Sequence, residues 1–181
     1  MVLGMRDEVV IADYDPEWPR EFDEEKGRIL GAIGESLEVV EHIGSTSVPG
    51  LAAKPIIDIL LVVRPFPLTL AQVDAVCGLG YFYKAEHGIS GRQYFTKQFW
   101  LGTHHLHAFS RGNPEIVRHL AFRDYLRVHP AVAREYESLK RELAERFRGR
   151  RESYTDAKTG FIRAVEEKAF VWAGMEHPAD R

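Results

Sequence analysis

The 181-residue sequence contains a single cysteine, Cys77, so it can form no internal disulfide and has no second thiolate for a cysteine-rich zinc cluster. No stretch approaches about 18 consecutive apolar residues, which excludes a helix that crosses a bilayer. The opening Met-Val-Leu-Gly-Met-Arg-Asp-Glu turns acidic before the apolar segment of a signal peptide develops, so a cytoplasmic location and no membrane partner are expected. Excess positive charge is missing too: the formal net charge is -3, which gives no overall attraction for a polyanion, and no nucleic-acid partner is expected. Repeats and low-complexity linkers are absent, and Arg148 to Glu152 reads as a charged junction between helices. The expectation is one domain across residues 1–181, with a core from about 10 to 172, long enough to fold without disulfides or a structural metal. Nothing in the sequence speaks to oligomeric state.

Apolar periodicity places the elements. Trp18, Phe22, Ile29 and Ile33 recur on one face after Asp15-Pro16, predicting a helix from Glu17 to about Glu35. Leu37 to Ile43 alternates as a strand, and the β-branched run Pro55 to Val63 suits a buried one. Leu68 to Leu79 fits a second helix ended by Gly78 and Gly80. Residues 81–84, Arg92 to Trp100 and His104 to Phe109 read as strands whose short connections favour antiparallel pairing. Helical periods then return over 115–128, 131–148 and 154–173, with Val132, Tyr136, Leu139, Leu143 and Phe147 as one stripe. Strands followed by a run of helices indicate an α+β fold, a mixed sheet backed by helices with a C-terminal helical layer.

Chemistry concentrates in the segment 42–63. Gly44, Ser45, Thr46 and Ser47 bring backbone N–H groups and hydroxyls close together, as a phosphate requires, and Lys54 adds a cation. Hydroxyls satisfying the loop's own backbone would give the same pattern. Asp58 then interrupts an otherwise apolar strand, where a carboxylate must be paired, hydrogen-bonded or bound to a cation.

A second cluster is His104-His105-Leu106-His107. Strand alternation sends His105 and His107 to one face and His104 to the other, so two imidazoles can share one divalent metal, with Asp58 as third ligand if its strand lies alongside. Such a donor set suits zinc, manganese, iron or nickel better than magnesium. His42 could be a further ligand or a general base, but a buried histidine bonded to backbone explains it first, and His119 and His129 need no special role. Arg118, Arg123 and Arg127 are expected mostly in solvated helix-surface pairs, although Arg123 and Lys158 sit where they could reach an anionic ligand.

Four segments in order, His42-Ile-Gly-Ser-Thr-Ser-Val-Pro-Gly-Leu-Ala-Ala-Lys-Pro-Ile-Ile-Asp-Ile59, His104-His-Leu-His-Ala-Phe109, His119-Leu-Ala-Phe-Arg-Asp-Tyr-Leu126 and Tyr154-Thr-Asp-Ala-Lys-Thr159, resemble those of the GrpB family across Val10 to Val171. The resemblance implies a nucleotidyltransferase-like fold, and the family's domain also occurs fused to dephospho-CoA kinase. Nucleotidyltransferases carry a Gly-Ser pair, two acids two residues apart and a third acid on a later strand, which together hold two metals. Gly44-Ser45 and Asp58 match that pattern. Leu60 stands at the second acid position, and His105 and His107 stand where the third acid would be sought, which breaks the two-metal arrangement.

Three readings therefore stay open. The first is a pocket in which Gly44, Ser45, Thr46, Ser47, Lys54, Arg123 and Lys158 hold a nucleotide or other phosphate-containing small molecule beside a divalent metal on Asp58, His105 and His107, with nucleotidyl or related transfer in which Asp58 is catalytic. The second is a non-catalytic nucleotide- or protein-binding module. The third is a mononuclear His/Asp metalloenzyme of another reaction.

Overall fold

Changes of apolar period along the chain correspond to two helical layers with a sheet between them. The computed structural model describes residues 9–97 and 102–175. In chain order the elements are α1 (Trp18–Ile33), β1 (Leu37–Ile43), β2 (Ile57–Val63), α2 (Leu70–Gly78), β3 (Tyr81–Tyr83), β4 (Arg92–Lys97), β5 (His104–Ser110), α3 (Pro114–Val128), α4 (Pro130–Arg146) and α5 (Arg151–Trp172).

Helix boundaries follow local chemistry. α1 stops at Ile33, two residues short of the expected end, where the chain tightens into a 3-10 turn, Gly34–Ser36. α2 starts at Leu70 rather than Leu68 because Thr69 and Gln72 form a reciprocal capping box. α3 and α4 each begin on a proline, whose missing N–H costs nothing in the first turn, and Asn113 caps α3 by accepting the N–H of Glu115 at 2.9 Å. α5 begins at Arg151, three residues before its expected start. β4 is described to Lys97; residues 98–100 of the expected strand, and His177, lie outside the described residues.

The strand order is β1-β2-β5-β4-β3. β2 and β5 are parallel, and the other neighbouring strands are antiparallel. One sheet face carries Ile57, Ile59, Leu61, Leu106, Ala108 and Phe95 against Trp18, Phe22, Ile29 and Ile33 of α1 and Val73 and Val76 of α2. Glu25 is the exception on the buried side of α1. Its carboxylate accepts from the Tyr81 hydroxyl at 2.9 Å and from Lys97 Nζ at 2.7 and 2.8 Å, so its charge is compensated inside the protein.

The opposite face presents Ile43, Leu60, Val62 and Phe109 to Ile116 and Leu120 of α3. Beyond it, α3, α4 and α5 pack through Ala121, Tyr125, Leu126, Tyr136, Val165, Ala169 and Phe170. The result is the expected α+β arrangement, a mixed sheet with a C-terminal helical layer. Among the described residues no helix is long and apolar enough to cross a membrane.

Candidate functional site

The parallel ladder of β2 and β5 sets Asp58 beside His105 and Leu60 beside His107, so all four side chains leave the same face of the sheet. His105 Nδ1 lies 3.0 Å from Asp58 Oδ1, and His107 Nε2 lies 3.6 Å from the same oxygen. One ligand atom from each residue falls within 4.8 Å of the others, which makes the three a candidate ligand set for a single cation. Burial alone would raise the Asp58 carboxyl, but the two facing imidazoles more than offset it and hold the group well below the usual carboxylate range. The His107 ring is pushed down by burial, against the pull of Asp58, and is neutral near pH 7.

The far side of His107 decides its tautomer. Arg92 Nη1 stands 3.2 Å from His107 Nδ1, and a guanidinium only donates, so Nδ1 accepts and the neutral ring keeps its proton on Nε2, the atom that faces Asp58. That Nε2 is buried with no hydrogen-bond partner. As it stands, the cluster is an ionised carboxylate facing two imidazoles, and because a carboxylate only accepts, His105 Nδ1 like His107 Nε2 carries its proton on the nitrogen turned toward Asp58.

The loop before β2 closes over this acid. Gly44 has φ 71 and ψ -174, a conformation open essentially to glycine alone, and a Cβ there would overlap Asp58 Oδ2. Two of the loop hydroxyls are spent locally. Thr46 Oγ1 donates to the Ile56 carbonyl at 3.0 Å and therefore accepts from His42 Nε2 at 3.0 Å, while Ser47 Oγ donates to the Gly44 carbonyl at 2.6 Å. Burial pushes His42 down to about 4, which leaves it a neutral structural ring stacked on Phe22. Ser45 is hydrogen-bonded to the Tyr136 hydroxyl.

A cleft of about 400 Å³ opens between this loop, the Asp58 face and α3 to α5. Gly44, Ser45, Thr46, Lys54, Asp58, His105, His107 and Lys158 line it, so eight of the residues expected at the site converge there. Ser47 and Arg123 do not line it. Arg123, expected on an anionic ligand, is occupied by Glu41 at 2.7 Å, Asp124 at 2.7 Å and the His42 carbonyl at 3.0 Å. Arg127 holds the other end of the loop through the Ser47 carbonyl at 2.8 Å. These two arginines clamp the hydroxyl loop onto α3.

A model of the family described as "GrpB protein" matches residues 8–168. The chain belongs to the GrpB family. It is 44% identical over 164 residues to "UPF0157 protein YqkA" of Bacillus subtilis (strain 168), covering 91% of this chain and 48% of that protein, so the chain spans about half of this relative's length. It is 35% identical over 167 residues to "Glutamate-rich protein GrpB" of Alkalihalophilus pseudofirmus, covering 89% of this chain and 96% of that protein. A solved structure of "conserved protein GrpB from Enterococcus faecalis" superposes with a TM-score of 0.83 at 41% identity, covering 91% of this chain and 99% of that one. The fold is accordingly nucleotidyltransferase-like.

In this GrpB chain the helical layer contributes more to the cleft than its sequence suggests. Arg118, expected in solvent, lines the cleft and is paired with Glu115 at 2.6 Å and Glu166 at 2.5 Å. His119, expected to have no special role, lines it as well, its ring centroid 5.4 Å from that of His107, and accepts from Arg118 Nη2 at 3.3 Å. Lys140 also lines it, and one signal was available: it falls four residues after Tyr136 and three before Leu143 on the buried stripe of α4.

The second acid position is closed. Leu60 is fully buried and packs with Ile43, Val62 and Phe109. The acid directly across β1 from it, Glu41, turns to Arg123 instead.

Proposed function

We propose that the cleft binds a phosphate-containing small molecule together with one divalent metal, and that a transfer reaction of the nucleotidyl type is the activity of the site. The observation that carries this reading is the convergence of Asp58, His105 and His107 within 4.8 Å, directly beneath a glycine-hydroxyl loop and within a cleft lined by lysines. The donor set of one carboxylate and two imidazoles fits zinc, manganese, iron or nickel. Bound there, such a cation would supply Lewis acidity to a phosphoryl oxygen. Asp58 is the ligand ready as it stands, and His105 joins it once Nδ1 gives up the proton it donates to Asp58. His107 joins them only when its proton moves from Nε2 and Arg92 releases Nδ1. Gly44 and Ser45 offer a backbone N–H and a hydroxyl to the phosphates, and Lys54 and Lys158 offer ammonium groups.

A second reading, a non-catalytic ligand-binding module, is favoured by Leu60. With no acid two residues after Asp58, the paired cations that steady both attacking and leaving oxygens cannot both be held.

Calorimetric titration of the protein with ATP, in Mn2+ and in EDTA, tests the first reading. Binding at least about tenfold tighter with Mn2+, a gain lost in Asp58→Asn, is the expected result. Equal affinity under the two conditions overturns it. Metal-dependent binding without release of product on prolonged incubation selects the second reading.

A further inference from the structure

Three ammonium groups, from three separate elements, line the same cleft. Lys54 comes from the loop before β2, Lys140 from α4 and Lys158 from α5. Lys54 and Lys158 share one aromatic platform, their Nζ atoms 5.2 and 4.5 Å from the centre of the Tyr154 ring. Lys140 is only 2% exposed and donates to the Ala52 carbonyl. No carboxylate among the described residues lies within ion-pair distance of any of the three.

Burying like charges beside one another opposes folding unless something compensates them. The other charged groups of the cleft do not. Arg118 is neutralised by Glu115 and Glu166, and Asp58 faces the histidines. Tyr154 adds a second sign of incompleteness: it is fully buried, it lines the cleft, and its hydroxyl has no hydrogen-bond partner.

We propose that Lys54, Lys140, Lys158 and the Tyr154 hydroxyl form a subsite for a chain of at least two linked phosphates. The count of charges selects this class. A phosphate monoester carries at most about two negative charges, which leaves one of the three ammonium groups uncompensated, whereas a diphosphate supplies a third. This deepens the phosphate-ligand reading given above and rests on it for the nature of the ligand, but not on the metal.

The subsite also couples to protons. Burial, with Arg151 adding to it, pushes Lys54 down to about 8; burial and Lys54 push Lys158 to about 8; burial and Lys158 push Lys140 to about 7. Asp58 pulls Lys54 and Lys158 the other way, and Glu137 does so for Lys140 while Arg141 opposes it. A bound polyanion raises all three again, so binding takes up protons above pH 7.

The experiment uses metal-free protein in EDTA, titrated calorimetrically at pH 7 with inorganic pyrophosphate and with orthophosphate, alongside an NMR titration of 13Cε-labelled lysines. Pyrophosphate is expected to bind at least about tenfold tighter than orthophosphate and to raise the midpoints of the three lysines by about one unit or more. Tyr154→Phe keeps the platform and is expected to lose several-fold affinity for pyrophosphate with an unchanged thermal midpoint; Lys140→Met is expected to lose at least about tenfold. Absent pyrophosphate binding, equal affinity for the two anions, or unmoved lysine midpoints in the wild-type protein overturns the proposal. Because no metal is present, that failure is distinct from a failure of the Mn2+ dependence tested with ATP.

Discussion

Arg92 donates to Nδ1 of His107 from 3.2 Å, so a cation on β4 fixes which nitrogen of an imidazole on β5 carries the proton. Metal-bound histidines ordinarily donate their second nitrogen to a carboxylate or carbonyl, and Arg92 imposes the opposite polarity. Glutamine in its place can accept through its amide oxygen and so leave Nε2 free. Arg92→Gln is therefore expected to raise affinity for Mn2+ or Zn2+ by about tenfold, read by calorimetry. It is also expected to lower the thermal midpoint, because Arg92 holds the carbonyls of Glu86 and His87. Weaker metal binding in a folded Arg92→Gln protein would show that His107 is not a ligand.

Gly44→Ala places a methyl group against Asp58 Oδ2 in a backbone region reserved for glycine. The expected cost is at least about 1–3 kcal/mol from the backbone alone, seen as a lower urea midpoint. Displacement of Asp58 should also abolish the Mn2+ dependence of ATP binding. Ser47→Ala, by contrast, removes a hydroxyl already spent on the Gly44 carbonyl, outside the cleft lining, and should alter ATP affinity by less than about threefold.

Leu60→Asp restores the acid spacing of a two-metal nucleotidyltransferase on paper. In the folded protein that carboxylate would replace a fully buried leucine within the Ile43, Val62 and Phe109 cluster, across β1 from Glu41. We expect a loss of about 4 kcal/mol or more in chemical denaturation and no second bound Mn2+ by metal analysis. Two equivalents of metal in a stable Leu60→Asp protein would contradict this.

Lys140 gives stability a pH dependence of known sign. Its folded value of about 7 lies below the ordinary 10.5, so between those limits the unfolded chain binds more protons and stability rises with pH. While one such lysine titrates, the slope is at most about 1.4 kcal/mol per pH unit, or about 3 °C in thermal midpoint for a chain of this size. Lys140→Met should flatten the profile between pH 7 and 9.5. Its midpoint should lie closest to that of the wild type, or furthest below it, at the alkaline end. Parallel profiles for the two proteins would mean that Lys140 titrates normally.

Much of this architecture was legible because apolar periodicity and caps act locally. Asp58, His105 and His107 were found together because strand alternation assigns faces without knowledge of the fold. Lys54 was recognised from its place at the end of the glycine-hydroxyl loop, and Lys158 from the small and aromatic residues around it. Arg118, His119, Lys140 and Glu166 were not, since a charged residue on a helix looks the same in sequence whether its face meets solvent or a cleft. Arg123 illustrates the converse: its neighbours suggested a ligand, but Glu41 lies on a strand far away in sequence and only tertiary packing brings it into range. Glu25 was hidden for the same reason, its partners Tyr81 and Lys97 arriving from β3 and β4.

Asp58 and His105 are 47 residues apart, joined across parallel strands whose connection contains α2, β3 and β4. A slip of one residue in that pairing would turn both histidines into the apolar layer against α1 and α2. No local segment can assemble the cluster in advance, so its histidine ring resonances act as a timer of folding, reaching native values only after the long crossover has closed. The same two rings that would bind a cation thus mark the moment at which the sheet becomes whole.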